Sequence, residues 1–342
     1  MNARERILAV LEHKMPDRVP VFPKISFATA NACPGVHVYD YLNDSAVMAE
    51  CTMAAWRKFG WDGVAMHTSI AWSGIALGSQ YVHPRDDIPH RTTCLIPEIG
   101  DEAALEKVVV QEPEDVPVMK TVVDAVSLVR QKIGGETCIM AWVDGPLNIG
   151  SQLCPLDELL MGILEEPEFC HTLFARCVEQ SKHYAKALVE AGADIIAFGH
   201  ATASCSVVSR EIYRTFALPY EKELVAYIHS LGAKAVTHIC GNIHPIADLI
   251  ATNGSDIMDF DSVNDVSELI RTAPHMVLRG NLSPTLLATG TPEQIELETK
   301  KLLEATANFP GYLLSSGCEV NRNVPDENLC AMVRAAKQYG IR

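Results

Sequence analysis

A histidine and a cysteine one residue apart, His238 and Cys240 in the run KAVTHICGN, together with Cys318 in SSGCEV, are the residues of this chain best suited to chemistry. On an extended strand, side chains two positions apart share a face, so His238 and Cys240 would point the same way. One imidazole and two thiolates make up three ligands of a catalytic zinc centre, with the fourth position left to a substrate. Taken bare, an H-x-C pair also describes a buried histidine beside a core cysteine. What separates this pair and Cys318 from that reading is their position: each closes an apolar run at a glycine turn, Gly241 in one case and Gly317 in the other.

Those apolar runs recur along the chain. RVPVF (18–22), DGVAM (62–66), CIMAWVDG (138–145), ADIIAFG (193–199), KAVTHIC (234–240), SDIMDFD (255–261), MVLRGNL (276–282) and GYLLSSGC (311–318) read as eight buried parallel strands. Amphipathic segments between them read as crossover helices. Several of these close at glycine (Gly60, Gly192, Gly232, Gly254), and one opens with Thr291 as cap, Pro292 at the first helical position and Gln294 completing a capping box. Eight strand-then-helix units predict a single (β/α)8 TIM barrel spanning 1–342, preceded by an N-terminal helical extension. The stretch from about 67 to 115 breaks the repeat and predicts an inserted loop or hairpin over one barrel face. A doubly wound open sheet is the alternative, but no Gly-rich dinucleotide or phosphate loop follows any strand.

In such a barrel the active site lies at the C-terminal strand ends. There the runs turn polar, leading to His67, Asp144, His200, His238 with Cys240, Asp259 with Asp261, Asn281, and Ser316 with Cys318. His200 is a candidate for substrate contact or for a structural hydrogen bond. Asp259 and Asp261 are candidates for a general base pair, or for capping loops and holding a neighbouring histidine. Arg279 and Asn281 alternate on one strand and could hold a cofactor or an acidic substrate tail, with an Arg279–aspartate pair as the competing use. Asp144 and Glu319 are candidates for supporting the metal or supplying a fourth ligand. His67 and His83 read as surface residues of the excursion, and Cys51, Cys170, Cys177 and Cys330 as packing residues on helices.

Composition narrows the function classes. A net charge of −15 opposes a phosphate-backbone partner, so nucleic acid is not expected. No run of about 18 apolar residues exists, and the N-terminal stretch is a charged amphipathic helix without a signal-peptide core, which predicts a cytoplasmic protein without a membrane span. The 11 cysteines lack the dense spacing of a disulfide scaffold and should be reduced thiols.

The segments PDRVPV, GADIIAFGHATAS, HICGN, RGNLSP and LLSSGCEVNRNVPDENLCAMVRAAKQYG resemble the uroporphyrinogen decarboxylase superfamily over nearly the whole chain. Within it they resemble the zinc-dependent, corrinoid-linked methyltransferases. The resemblance implies that His238, Cys240 and Cys318 bind Zn2+, and that a methyl group moves between a corrinoid protein (methylcobalamin) and a small thiol such as coenzyme M. In the reverse sense it implies a demethylase passing a methyl group from a methoxylated or methylamine substrate to cob(I)alamin. A binding module without turnover is the non-enzymatic alternative. Porphyrinogen decarboxylation is the remote one, because the R-Q-A-G-R-Y segment of the decarboxylases is replaced here by FPKISFATANACPG. At the fourth strand the Asp-Pro-x-Ala-Ser of the methyltransferases is replaced by His200-Ala-Thr-Ala-Ser, which puts substrate choice in doubt. No D-x-H-x-x-G corrinoid signature occurs, so the corrinoid is expected on a separate protein.

Overall fold

The computed structural model describes residues 1–342. Its strands are β1 (Gly63–Met66), β2 (Gln80–Val82), β3 (His90–Thr93), β4 (Cys138–Asp144), β5 (Ile195–Gly199), β6 (Lys234–Ile239), β7 (Ile257–Phe260), β8 (Val277–Leu282) and β9 (Tyr312–Ser316). Seven pair in parallel in the order β1-β4-β5-β6-β7-β8-β9, and β2 and β3 form a separate antiparallel hairpin inside the predicted excursion. Helices cross over between the parallel strands, among them Pro117–Ile133, Pro167–Glu190, Leu218–Ser230 and Pro292–Ala305, and the helix Ser45–Phe59 leads into β1. The four helix-ending glycines all take positive φ, and Thr291 and Gln294 exchange both bonds of the capping box.

The first predicted strand is a correction in detail. Residues 18–22 form no regular strand, because Pro20 and Pro23 have no N–H to give a ladder. The segment still closes the curled sheet. Phe22 N–H donates to the Leu314 carbonyl (2.8 Å), Leu314 N–H to the Pro20 carbonyl (2.9 Å), and Asp62 N–H to the Val21 carbonyl (2.7 Å), joining β9 to the entry of β1.

The strands' two faces have different work. Outward residues such as Ile139, Ile196, Phe198, Met258 and Leu278 pack under the helices, while Met140, Trp142, Ile195, Val236, Ile257, Val277 and Leu313 fill the barrel. Ile7 and Val10 of the helix Ala3–Leu11 join that inner cluster and plug its lower end. Moving two residues at a time toward the C-terminal ends, the inward positions change character: Val236 to His238, Ile257 to Asp259, Val277 to Arg279 and Asn281, Leu313 to Ser315. The apolar floor makes the fold and the polar upper layer makes the site. No helix is long and apolar enough to cross a membrane.

Candidate metal centre

Parallel register sets the centre. His238 pairs with Asp259 and Asp259 pairs with Arg279, so three inward side chains of β6, β7 and β8 stand abreast. Cys240 follows β6 on the same face as His238. Cys318 arrives from the far side of the barrel because Gly317 lies flat against the backbone of Asp261 and Ser262, where a Cβ would come within 2.5 Å of the Ser262 nitrogen. The result is a triangle: His238 Nε2 lies 3.2 Å from Cys240 Sγ and 3.8 Å from Cys318 Sγ, and the two sulfurs are 3.5 Å apart.

A tetrahedral zinc ion with ordinary bonds would space two sulfurs about 3.8 Å apart, and nitrogen and sulfur about 3.6 Å. The triangle matches this to within a few tenths of an ångström. His238 is buried, whereas Cys240 and Cys318 are half-buried, so the open side of the triangle is its sulfur side. These three are the group whose ligand atoms all lie within 4.8 Å of one another. The hydrogen bond from Cys240 draws the Cys318 thiol well below its ordinary range against burial, and the same contact with Cys318, together with burial, raises Cys240. One sulfur of the pair is thus predisposed to be a thiolate. Burial and the Lys24 charge pull His238 down, but Asp259 and Cys318 outweigh them and the net direction is upward.

Behind the triangle, His238 Nδ1 lies 3.1 Å from Asp259 Oδ2, close but without hydrogen-bond alignment. Arg279 donates to the same oxygen at 2.7 Å and to the Phe22 carbonyl at 2.9 Å, with its guanidinium over the Phe22 ring. Arg279 is fully buried, so it serves Asp259 rather than the mouth. Asp261 accepts from Gly241 N–H (2.9 Å) and Ser262 N–H (2.6 Å), and Asn281 donates to the carbonyls of Asn264 (2.8 Å) and Asp261 (3.2 Å). Asp261 thereby holds the loop that carries Cys240, and Asn281 fixes the loop after β7 on which Asp261 stands. Glu319 accepts from the Ser26 N–H and hydroxyl, each at 2.7 Å, and stands outside the triangle; burial pushes its carboxyl up to about 7. Asp144, up to about 7 for the same reason, accepts from Asn148 through one oxygen and leaves the other without a partner.

His200 is not in the mouth. Gly199 takes the inward position, so the next side chain turns outward toward the helices, where Nδ1 meets Glu221 at 2.7 Å and Nε2 accepts from Leu147 N–H at 3.1 Å. Glu221 is completed by Tyr213 (2.6 Å) and Asn253 (2.9 Å). Of its two sequence readings, the structural hydrogen bond is the one that the geometry presents.

His67 corrects the surface reading: its ring lies 5.7 Å from that of Trp142, which in turn stands edge-on to His238 at 5.6 Å, and its Nε2 is buried without a partner. Burial, with the charges of Lys24 and His238, lowers it to about 3. Lys24 was also not singled out by sequence. Its Nζ sits 4.1 Å above the Trp142 ring. The signal was there: Phe22 faces inward, and Lys24 is the next inward position at the end of the first run.

The uroporphyrinogen decarboxylase (URO-D) family model matches residues 2–339. A methylcobamide:CoM methyltransferase of Methanosarcina mazei is 27% identical, with 98% of each chain covered, and one of Methanosarcina barkeri is 26% identical with the same coverage. The solved structure of a methyltransferase from Methanosarcina mazei superposes with a TM-score of 0.90 at 23% identity, over 99% of both chains, and shows the shared fold. With the match running from end to end, the chain belongs to the uroporphyrinogen decarboxylase (URO-D) family.

Proposed function

We propose that this chain, acting as a single domain over residues 1–342, is a zinc-dependent methyltransferase that passes a methyl group from a corrinoid, carried by a separate protein, to a small thiol. The observation that carries the reading is the His238–Cys240–Cys318 triangle, which has zinc spacing and an open sulfur side. Relatives named methylcobamide:CoM methyltransferases across 98% of their length support the reaction class. Zinc held there would keep a coordinated thiol deprotonated at neutral pH, which makes its sulfur a nucleophile.

The chain's own residues do the rest. Asp259, itself fixed by Arg279, stands 3.1 Å behind His238 Nδ1, and a small turn of the ring would let it accept that N–H and keep Nε2 facing the sulfurs. Asp261, Asn264 and Asn281 hold the loop that carries Cys240, and Gly317, packed on Asp261 and Ser262 with its N–H on the Leu282 carbonyl, holds the one that carries Cys318. In the transfer the sulfur–methyl bond would form as the cobalt–carbon bond of the incoming donor breaks, the electron pair of that bond leaving with the corrinoid. Ile70, Val207 and Val263 are exposed singly on the loops after β1, β5 and β7, at the strand-end rim that a carrier protein would approach. All 11 cysteines are unpaired, in keeping with the reducing cytoplasm.

The test is metal analysis followed by spectroscopy. About one zinc per chain is expected, together with loss of the methylcobalamin spectrum on addition of a thiol and acceleration when methyl-corrinoid protein replaces the free cofactor. Zinc without demethylation, alongside methylation of cob(I)alamin by a methoxylated or methylated amine substrate, would assign the reverse direction. No bound zinc would end the proposal.

A further inference from the structure

Most buried polar groups in this barrel are spoken for. The mouth holds exceptions that sit together. Lys24 is only 7% exposed, yet its ammonium makes no hydrogen bond and no ion pair, and its defined neighbour is the face of Trp142 at 4.1 Å. The same indole neighbours His67, whose buried Nε2 has no partner, at 5.7 Å between ring centroids, and His238 at 5.6 Å. The Nζ opens to the mouth and has no protein counter-charge there, so it is available to an anion entering the mouth, and the cation–π contact occupies only one side of it. The missing partner is an anion.

Two other cations could have been reserved for that anion, and neither is free. Arg279 is used by Asp259 and the Phe22 carbonyl below the metal triangle, and Arg322, near the rim, is bound to Asp86 and Asn31. The acids that share the mouth do not satisfy Lys24 either. Glu319 is engaged by Ser26, and Asp144 by Asn148, with no ion pair from either to the ammonium. Lys24 and the metal triangle share a neighbour: its Nζ lies 4.1 Å from the Trp142 ring, which stands edge-on to His238 at 5.6 Å.

We propose that Lys24 is the specificity-determining residue for the methyl acceptor: it holds the anionic tail, sulfonate or carboxylate, of a short thiol whose sulfur reaches the His238–Cys240–Cys318 centre, with His67 flanking the tail. The inference rests on the reading of the chain as a thiol methyltransferase and adds the residue that selects the thiol. A lysine that merely packs on Trp142, or merely balances the cysteines, would not discriminate between charged and uncharged thiols.

The experiment is calorimetric titration of the zinc-loaded protein with 2-mercaptoethanesulfonate, 3-mercaptopropionate, uncharged 2-mercaptoethanol, and ethanesulfonate, which has the anion but no thiol. Wild type should bind the better of the two anionic thiols at least about 30-fold more tightly than 2-mercaptoethanol. Lys24→Met should abolish that preference while leaving 2-mercaptoethanol affinity within about threefold, and Lys24→Arg should retain most of it. A wild type without preference overturns the proposal before any variant is made, and so does a preference that survives in Lys24→Met. Zinc-edge absorption on the same samples tests the underlying reading separately. If no thiol adds a sulfur to zinc, the thiol reading fails, and Lys24-dependent binding of ethanesulfonate would still establish the anion site.

Discussion

Two buried histidines on adjacent strands, His200 after β5 and His238 in β6, have been put to opposite uses. The His200 backbone N–H even donates to the His238 carbonyl, at 2.9 Å. His200 faces the helices and has a protein partner on each ring nitrogen, Glu221 and the Leu147 N–H. His238 faces the barrel, where Asp259 stands behind one nitrogen and two sulfurs stand before the other. Burial alone therefore says little about function. A histidine can serve chemistry when the fold leaves one of its nitrogens unspent, and strand parity decides which of these two is left so.

The sharpest way to break this contrast is to remove a ligand from each side of it. Cys240→Ala and Cys318→Ala should each reduce zinc from about one per chain to below about a tenth, because two remaining protein ligands leave the ion under-coordinated. Metal analysis of the purified variants reads this directly, and full retention in both would remove the centre. His238→Ala should behave in the same way. His200→Ala should instead keep its zinc and lose about 3 kcal/mol of stability, since it strips a partner from the fully buried Glu221. Urea unfolding with parallel metal analysis separates the two; loss of zinc without loss of stability in His200→Ala would reverse their roles.

Asp259 tests how far the His238 side depends on its support. Asp259→Asn should weaken zinc binding about 10- to 100-fold, as the loss of an orienting carboxylate behind a ligand histidine does elsewhere. It also strands the buried Arg279 charge, so it will destabilise the fold as well. The double variant Asp259→Asn with Arg279→Met separates these effects: stability should recover in part and zinc affinity should not. Recovery of both would mean that Asp259 serves Arg279 alone.

Much of this contrast could be read from the chain, and the failures have physical causes. Eight apolar runs gave the barrel because parallel strands covered on both faces must be apolar throughout. The first run lost its ladder to two prolines, a local rule visible in RVPVFP. His238 and Cys240 were legible because alternate residues on a strand share a face. His200 was open to misreading because the same alternation, counted from Ile195 and Ala197 through Gly199, turns it outward. His67 lies beyond the end of a regular strand, where parity no longer fixes direction and only the path of the loop does, whereas Lys24 keeps the inward parity of Phe22 in a run that its prolines keep from forming a regular strand. That Trp142 gathers both under one ring is a tertiary fact.

Asp144 offers the smallest effect and the one whose sign is least intuitive. It is inward-facing at the end of β4, one oxygen on Asn148 and the other without a partner, and burial raises its carboxyl from 3.8 to about 7. The folded protein therefore holds this proton more tightly than the unfolded chain. Its contribution to stability is fully present below about pH 4 and is lost as pH rises through about 7, the reverse of an acid held in a salt bridge. His67 acts in the opposite sense: lowered to about 3 from 6.5, it costs stability as pH falls through that interval. The two trends partly cancel in the wild-type profile, so the profile alone does not isolate Asp144. Asp144→Asn does, because it keeps His67 and removes the titration. The stability of wild type relative to Asp144→Asn should fall by about 2–3 kcal/mol between pH 5 and pH 8, measured by urea midpoints at matched zinc content. A gap that stays constant across that range would mean that the carboxyl is ionised in the folded protein throughout.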